Sequence, residues 1–378
     1  MWNNNPPYGG FRAFKDQSTL ATWLDDASYR TALVGKYFNL YEKSPGYVPP
    51  GWDIWNALTY RTYAFTDYKV SENGVERYYG SDPADYKTDV LADYADSFIR
   101  STPRNEPLFL YFTPTAPHLP ATPAPKYSTT DLNLPSFKPP SYNEADMSDK
   151  PAYMRALPSL TSSSNPLATR TKQYKSLLSV DDAVGRITQA LADTGRLDNT
   201  VIVYASDNGY LWGEHRWLGN KGGKVVPCIE SLRVPLIVRY DALTSTTSTD
   251  SHLVSNIDVA PTLAELAGVT APGAEGKSLV PFLLGGDQTW RQDLLIQHVE
   301  GNGTTPEQSV PTYCGVHSDR FTYVVYATGE KELYDHVLDP YELNNMAADP
   351  AYATTVKEMH ARLVRLCDPV PPGMTLSP

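Results

Sequence analysis

Cysteine is scarce in this sequence. Three cysteines in 378 residues are too few for the disulfide framework of a small secreted scaffold. Cys314 and Cys367 both fall in the C-terminal fifth and could pair, leaving Cys228 as a buried thiol; paired and free states both stay open here. Long apolar runs are missing as well. No stretch approaches the roughly 18 consecutive apolar residues that a membrane-spanning helix needs. The opening decapeptide, Met1 to Gly10, has neither the basic region nor the apolar core of an export signal. Positive charge is the third shortage, with 32 Lys and Arg against 43 Asp and Glu and a formal charge of −11. That field disfavours nucleic acid and anionic membrane surfaces as partners. An anionic substrate would need a local cationic pocket built against it.

Hydrophobic residues make up 41 % of the chain, enough for a substantial core in a globular protein. Apolar spacing predicts a helix near Ser18–Ala27, a strand over Arg30–Lys36, a helix from about Tyr86 to Arg100 and a strand at Leu108–Phe112. Residues 40 to 80, rich in Tyr, Trp, Pro and Gly, read as irregular surface. Residues 113 to 168 are dense in Pro, Ser and Thr without a sustained period, and so long an irregular stretch is usually functional or disordered. Tyr174, Leu177, Leu178, Val184, Ile187 and Leu191 mark an amphipathic helix that Gly195 should stop. A buried strand at 200–205 follows, then another at Pro235–Arg239, then a helix over Val259–Ala267 with Asp258 as its expected N-cap. This alternation predicts an α/β fold: a mostly parallel central sheet with helices on both faces. Beyond Gly286 the texture changes to a hairpin around Arg320–Asp335 and a closing helix at Tyr352–Cys367. The expected division is therefore 1–286 for the α/β domain and 287–378 for a small C-terminal α+β subdomain with an antiparallel sheet.

The chemistry concentrates at the carboxyl ends of these strands, where open α/β sheets form their ligand sites. Asp207 and Asn208 follow the strand at 200–205. They offer two hard oxygen ligands, suited to Ca²⁺ or Mg²⁺ rather than zinc, although Asp-Asn-Gly is also a turn tripeptide. His118, between Pro117 and Pro120, follows the strand at 108–112 on stiff backbone. Lys36 ends another strand. Lys224 follows Gly222-Gly223 and is expected just before a strand. Each of these, taken alone, reads more simply as a turn or a solvated side chain. Together they would place an acid–amide pair, a histidine and two lysines on one rim, a set suited to gripping an anionic ester and protonating its leaving oxygen. By contrast, Glu275-Gly276-Lys277-Ser278 is not a phosphate-binding loop: Ala271 stands where its first glycine is required, and an apolar run follows.

Several segments, in order along nearly the whole chain, resemble those of type I sulfatases of the alkaline phosphatase superfamily. They are Tyr29 to Tyr37, Ala116-Pro-His118-Leu-Pro, Gly195 through Asp207-Asn208-Gly, Gly213-Glu214-His215, Lys224-Val-Val-Pro, Glu230-Ser-Leu-Arg233-Val-Pro, Asp258-Val-Ala-Pro-Thr and Glu332 to Asn345. Tyr37-Phe-Asn-Leu-Tyr and Val48-Pro-Pro-Gly-Trp-Asp are similar to the N-acetylglucosamine-6-sulfatase branch. The resemblance implies sulfate-ester hydrolysis on a sulfated sugar or aryl substrate. It makes Asp207 and Asn208 half of a calcium site, and gives Lys36, Lys224 and His118 to the sulfate, with His118 assisting the leaving alcohol. Two family features have no match. One is a strand ending in paired aspartates; Asp25-Asp26 falls in a predicted helix instead. The other is the Cys-or-Ser-x-Pro-Ser-Arg element whose first residue is oxidised to the formylglycine nucleophile. Ser101-Thr-Pro-Arg104 has its arginine one position early and lies after Lys36. Phe38 also stands where the family has a histidine. The expectation is a family member lacking an N-terminal segment and inactive alone. A phosphodiesterase or phosphonate hydrolase of the same superfamily, or a non-catalytic binder of sulfated glycans, are the alternatives. The family is usually secreted, periplasmic or lysosomal.

Overall fold

The computed structural model describes residues 4, 6–161, 164, 166–218, 224–243, 247–286, 289–301 and 309–377. The central sheet has five strands in the order β4-β3-β2-β1-β5. They are β1 (Arg30–Gly35), β2 (Ile54–Tyr60), β3 (Tyr68–Glu72), β4 (Val75–Tyr79) and β5 (Leu108–Thr113). β1 lies parallel to β2 and to β5, whereas β3 and β4 are antiparallel additions. The α/β expectation holds, with a mixed sheet. β1 is buried on both faces because its residues alternate between two cores. Ala32 meets Phe98 and Ile99 of the helix Lys87–Ser101 and Ala190 and Leu191 of the helix Leu167–Asp193. Leu33 faces Tyr41, Trp55 and Ala57, with Phe11, Tyr37 and Trp52 around them.

Three strands between residues 54 and 79 correct the reading of 40–80 as irregular surface. Asn73-Gly74, with positive φ at both residues, is the two-residue hairpin turn between β3 and β4. The tyrosines that suggested surface, Tyr68 and Tyr79, stack at 5.3 Å within a core. Asp258 takes its expected position but uses its side chain elsewhere. It stands at the N-cap of the helix Val259–Leu266 without capping it through its side chain. Its fully buried carboxylate accepts Ser255 N and Lys277 N and pairs with Arg291.

β6 (Ile202–Ala205) and β7 (Leu236–Arg239) form a separate antiparallel pair. Among the described residues neither bonds to the five-stranded sheet, and β5 has no strand on its outer edge. These strands are apolar yet half-exposed: Tyr111 is 51 %, Tyr204 39 % and Ile237 61 % accessible.

The chain ends in a four-stranded antiparallel sheet, order β11-β10-β9-β8, made of β8 (Asp293–His298), β9 (Tyr313–Ser318), β10 (Phe321–Tyr326) and β11 (Lys331–Asp335). The helix Ala353–Leu366 covers one face through Met359 and Leu363. A Cys314–Cys367 disulfide ties β9 to the end of that helix, and Cys228 is free and buried. On the other face, Tyr313, Val324 and Tyr326 share a core with Met147, Met154, Leu211, Trp217, Val226 and Cys228. The C-terminal sheet therefore supports the loop that carries Lys224. No described helix is long and apolar enough to cross a membrane.

Candidate active site

The register of β1 on β5 pairs Gly35 with Thr113, so both strands deliver their next residues to the same end of the sheet. Lys36 N bonds Thr113 O at 2.8 Å, and Thr113 Oγ1 donates to Lys36 O at 2.8 Å. The approach is so close that a Cβ on Gly35 would fall 2.2 Å from Thr113 O, at φ +130°; only glycine fits. Lys36 thereby starts from a fixed point. Its Nζ donates to Asn39 Oδ1 at 2.7 Å and lies 5.2 Å from the Tyr63 ring centre. Burial lowers its pKa, and Lys224 lowers it further, with Asp207 and Glu42 opposing.

His118 follows β5. Its Nδ1 contacts Leu119 O at 2.7 Å, and since a carbonyl only accepts, Nδ1 carries the proton and Nε2 keeps a lone pair. Tyr63 stacks on the imidazole at 4.1 Å. The side chain retains an exposed edge, yet desolvation pulls its pKa below the ordinary value; Lys224 and Lys36 act in the same direction, while the Leu119 bond and Asp207 oppose. The free imidazole is accordingly neutral at pH 7.

Asp207 and Asn208 follow β6. Gly209 locks this turn to the helix Ile229–Leu232: its N–H bonds Ser231 O at 2.9 Å, and a Cβ there would sit 1.9 Å from Glu230 O. Lys224 Nζ donates to Asn208 Oδ1 at 3.3 Å. Thus β1, β5, β6 and the segment that begins at Lys224 bring Lys36, His118, Asp207, Asn208 and Lys224 within reach of one another. Lys224 does not immediately precede a strand, because the helix Ile229–Leu232 intervenes before β7. Gly222-Gly223 lies outside the described residues.

Asp207 and Asn208 fit calcium in kind, as a carboxylate and an amide oxygen. A lysine ammonium already sits on the Asn208 oxygen, where a cation would be favoured. In number they fall short of the roughly six to eight oxygens that calcium takes. The one His/Cys/Asp/Glu cluster of metal-binding spacing among the described residues lies elsewhere.

Several members of the site were not legible. Tyr63 came from the stretch read as irregular, Asn39 was given no role in the site, and Tyr63 OH also reaches Asn39 Oδ1 at 3.2 Å. Lys87 is fully buried. Its Nζ holds Thr62 O at 2.6 Å beneath the Phe65 and Tyr68 rings, fixing the backbone next to Tyr63. Burial, and secondarily Lys36, push its pKa down to about 7. Gln173, on the helix Leu167–Asp193, donates to Pro117 O and accepts from Trp212 Nε1 at 2.6 Å, joining the His118 loop to the 211–218 loop. A lysine opening a helix and a glutamine within one carry no sequence signal of such roles.

Comparison with known proteins gives the family. The family described as Sulfatase matches residues 1–269, and the chain belongs to that family. Residues 213–368 also match the family described as N-sulphoglucosamine sulphohydrolase, C-terminal. The chain is 34 % identical over 321 residues to the extracellular sulfatase SULF-1 homolog of Drosophila melanogaster, covering 81 % of this chain and 28 % of that protein. It is 32 % identical over 356 residues to N-acetylglucosamine-6-sulfatase of Bos taurus, covering 84 % and 63 %. The chain thus spans less than two thirds of the length of these relatives. A solved structure of BT4656 in complex with its substrate D-glucosamine-2-N,6-O-disulfate superposes with a TM-score of 0.78 at 25 % identity, over 94 % of this chain and 84 % of that one. The phosphonate monoester hydrolase of Agrobacterium radiobacter shares the fold, at TM-score 0.72 and 22 % identity over 93 % of this chain and 80 % of that one.

Proposed function

We propose that the rim formed by Lys36, His118, Asp207, Asn208 and Lys224 binds the sulfate of a sulfated sugar, as part of a protein that hydrolyses sulfate esters. The observation carrying this reading is the desolvated Lys36, with the Lys224 charge acting on it, beside a neutral histidine, and a strand-end carboxamide already holding Lys224. Two lysines kept close together repel each other, and an anion between them relieves that repulsion. Lys36 and Lys224 grip sulfate oxygens. His118 begins neutral with Nε2 open; an adjacent sulfate favours its protonated form, which can then give a proton to the leaving alcohol. Tyr63 and Asn39 hold Lys36 and the imidazole in place. Calcium, held in part by Asp207 and Asn208, would supply charge neutralisation of the sulfate.

The family's nucleophile arises from a Cys-or-Ser-x-Pro-Ser-Arg element, and these 378 residues contain none. We assign to them recognition and leaving-group assistance, and expect no aryl sulfate turnover from them alone. The sulfated-sugar reading rests on the named relatives: an N-acetylglucosamine-6-sulfatase and a complex with a disulfated glucosamine. Calorimetric titration with glucosamine 6-sulfate, glucosamine 6-phosphate and glucosamine tests it. Preferential binding of the sulfate, weakened in Lys36→Ala and Lys224→Ala, is expected. Equal affinity for all three sugars would reject a sulfate site, and preference for the phosphate would move the reading to a phosphate or phosphonate ester.

A further inference from the structure

The core between the 211–228 loop and the C-terminal segment buries three metal-ligating side chains that the sulfate rim does not use. His215, Cys228 and Glu342 are 1 %, 6 % and 1 % accessible, and one ligand atom from each lies within 4.8 Å of the others. Burial of that kind has two outcomes: the groups satisfy one another, or something between them does.

Their hydrogen bonds favour the second. His215 Nδ1 sits 2.6 Å from Glu144 Oε2, and Lys150 Nζ holds the other oxygen of Glu144 at 3.1 Å. Nδ1 donates its hydrogen to the ion-paired Glu144 carboxylate, so in the neutral imidazole the lone pair is on Nε2. Yet buried Nε2 has no hydrogen-bond partner. A carboxylate behind one imidazole nitrogen with the other bare is the usual arrangement of a metal-bound histidine. Glu342 Oε2 accepts Ile229 N at 3.0 Å, while buried Oε1 has no hydrogen bond; His336 Nε2, already on Thr322 Oγ1, stands 3.9 Å away. Glu230 Oε2 is likewise buried without a hydrogen-bond partner.

Charge points the same way. Glu144, Glu230, Glu332 and Glu342 gather around one lysine, Lys150, and one histidine, His215, an excess of negative charge that a divalent cation offsets. A wholly protonated network would ease the charge but leave Nε2 and Oε1 without partners.

We propose that His215, Cys228 and Glu342 form a structural Zn²⁺ site that fastens the loop carrying Lys224 to the C-terminal segment. A nitrogen, a thiolate and a carboxylate oxygen suit zinc, whose bonds of about 2.0–2.3 Å set tetrahedral ligands roughly 3.4–3.7 Å apart. The three atoms, within 4.8 Å of one another, need close by no more than about an ångström to reach that spacing. Glu230, whose charge acts on all three, or a water completes the tetrahedron.

The test uses the whole chain, stripped with EDTA, dialysed, and reloaded with Zn²⁺ or Co²⁺. A single Zn²⁺ per chain should survive dialysis and raise the melting temperature. The cobalt form should show a thiolate-to-cobalt charge-transfer band, absent from Cys228→Ser. Glu144→Gln should keep the band with about 10–100-fold weaker metal affinity. Absence of the band from the wild-type chain overturns the site even if the serine variant fails to fold. Zinc retention unchanged in both Cys228→Ser and Glu342→Gln overturns it too, since the ion would then sit elsewhere.

Discussion

Lys87 offers the most quantitative check on the structure. Its ammonium is fully buried, held by Thr62 O and two aromatic faces, and its pKa is pushed down to about 7. An unfolded lysine holds its proton to about pH 10.4. Between those limits the unfolded state binds more protons, so stability must rise with pH. The gap of roughly 3.4 pH units corresponds to about 4–5 kcal/mol of destabilisation below pH 7, relieved as the pH climbs. Phe65 and Tyr68 favour the charged form and return ~1–2 kcal/mol, so desolvation still wins. From about pH 6 to about pH 9, wild type should gain roughly 1.5–2.5 kcal/mol on Lys87→Met. The variant also leaves Thr62 O without its donor, a pH-independent cost of about 1–3 kcal/mol, so the slope is diagnostic and the offset is not. Urea unfolding of both proteins across this range gives the slope directly. A wild-type-minus-variant difference flat to within about 0.5 kcal/mol would refute a desolvated lysine at this position.

Three further outcomes follow from the same coordinates. Removing the Cys314–Cys367 bond with paired serines should cost about 4 kcal/mol for a sequence separation of 53 residues, measured by denaturant unfolding against wild type; a loss under about 1 kcal/mol would mean that the reduced chain is already constrained. Gly209→Ala should lower both melting temperature and sulfate affinity, because its Cβ would meet Glu230 O at 1.9 Å; unchanged calorimetry would contradict the rigid turn. Sulfate-ester affinity should fall as pH rises through the lowered pKa of Lys36, beginning below the ordinary lysine value of about 10.4, and affinity constant to that pH would count against Lys36 as the gripping cation.

The legible parts of the molecule were those with local signals. β1, β5 and β6 announced themselves as short apolar β-branched or aromatic runs, and their strand-end residues Lys36, His118, Asp207 and Asn208 could be placed from topology alone. The hairpin at β10 and β11 and the closing helix were equally plain. Failures came where tertiary packing overrode composition. Tyrosines of β3 and β4 looked like surface because an aromatic side chain reads the same in a core or a loop, and the Asn73-Gly74 turn between them went unread. Pairing was less visible than the strands themselves: nothing local says that β6 joins β7 rather than β5. Tyr63, Lys87 and Gln173 act through contacts 24 to 56 residues away in sequence, and no periodicity encodes those. His215 stood out within Gly213-Glu214-His215, but its convergence with Cys228 and Glu342 depends on how the C-terminal sheet packs.

The central claim is that sulfate lies at the ends of β1, β5 and β6, and a crystal structure of the chain with glucosamine 6-sulfate tests it most directly. The account predicts sulfate oxygens against Lys36 Nζ and Lys224 Nζ, the ester oxygen facing His118 Nε2, and the Lys224–Asn208 contact rearranged around the anion. Sulfate seated elsewhere, such as the cleft formed by Thr129–Leu134 and Lys175, with Lys36 still on Asn39 and the rim empty, would contradict it.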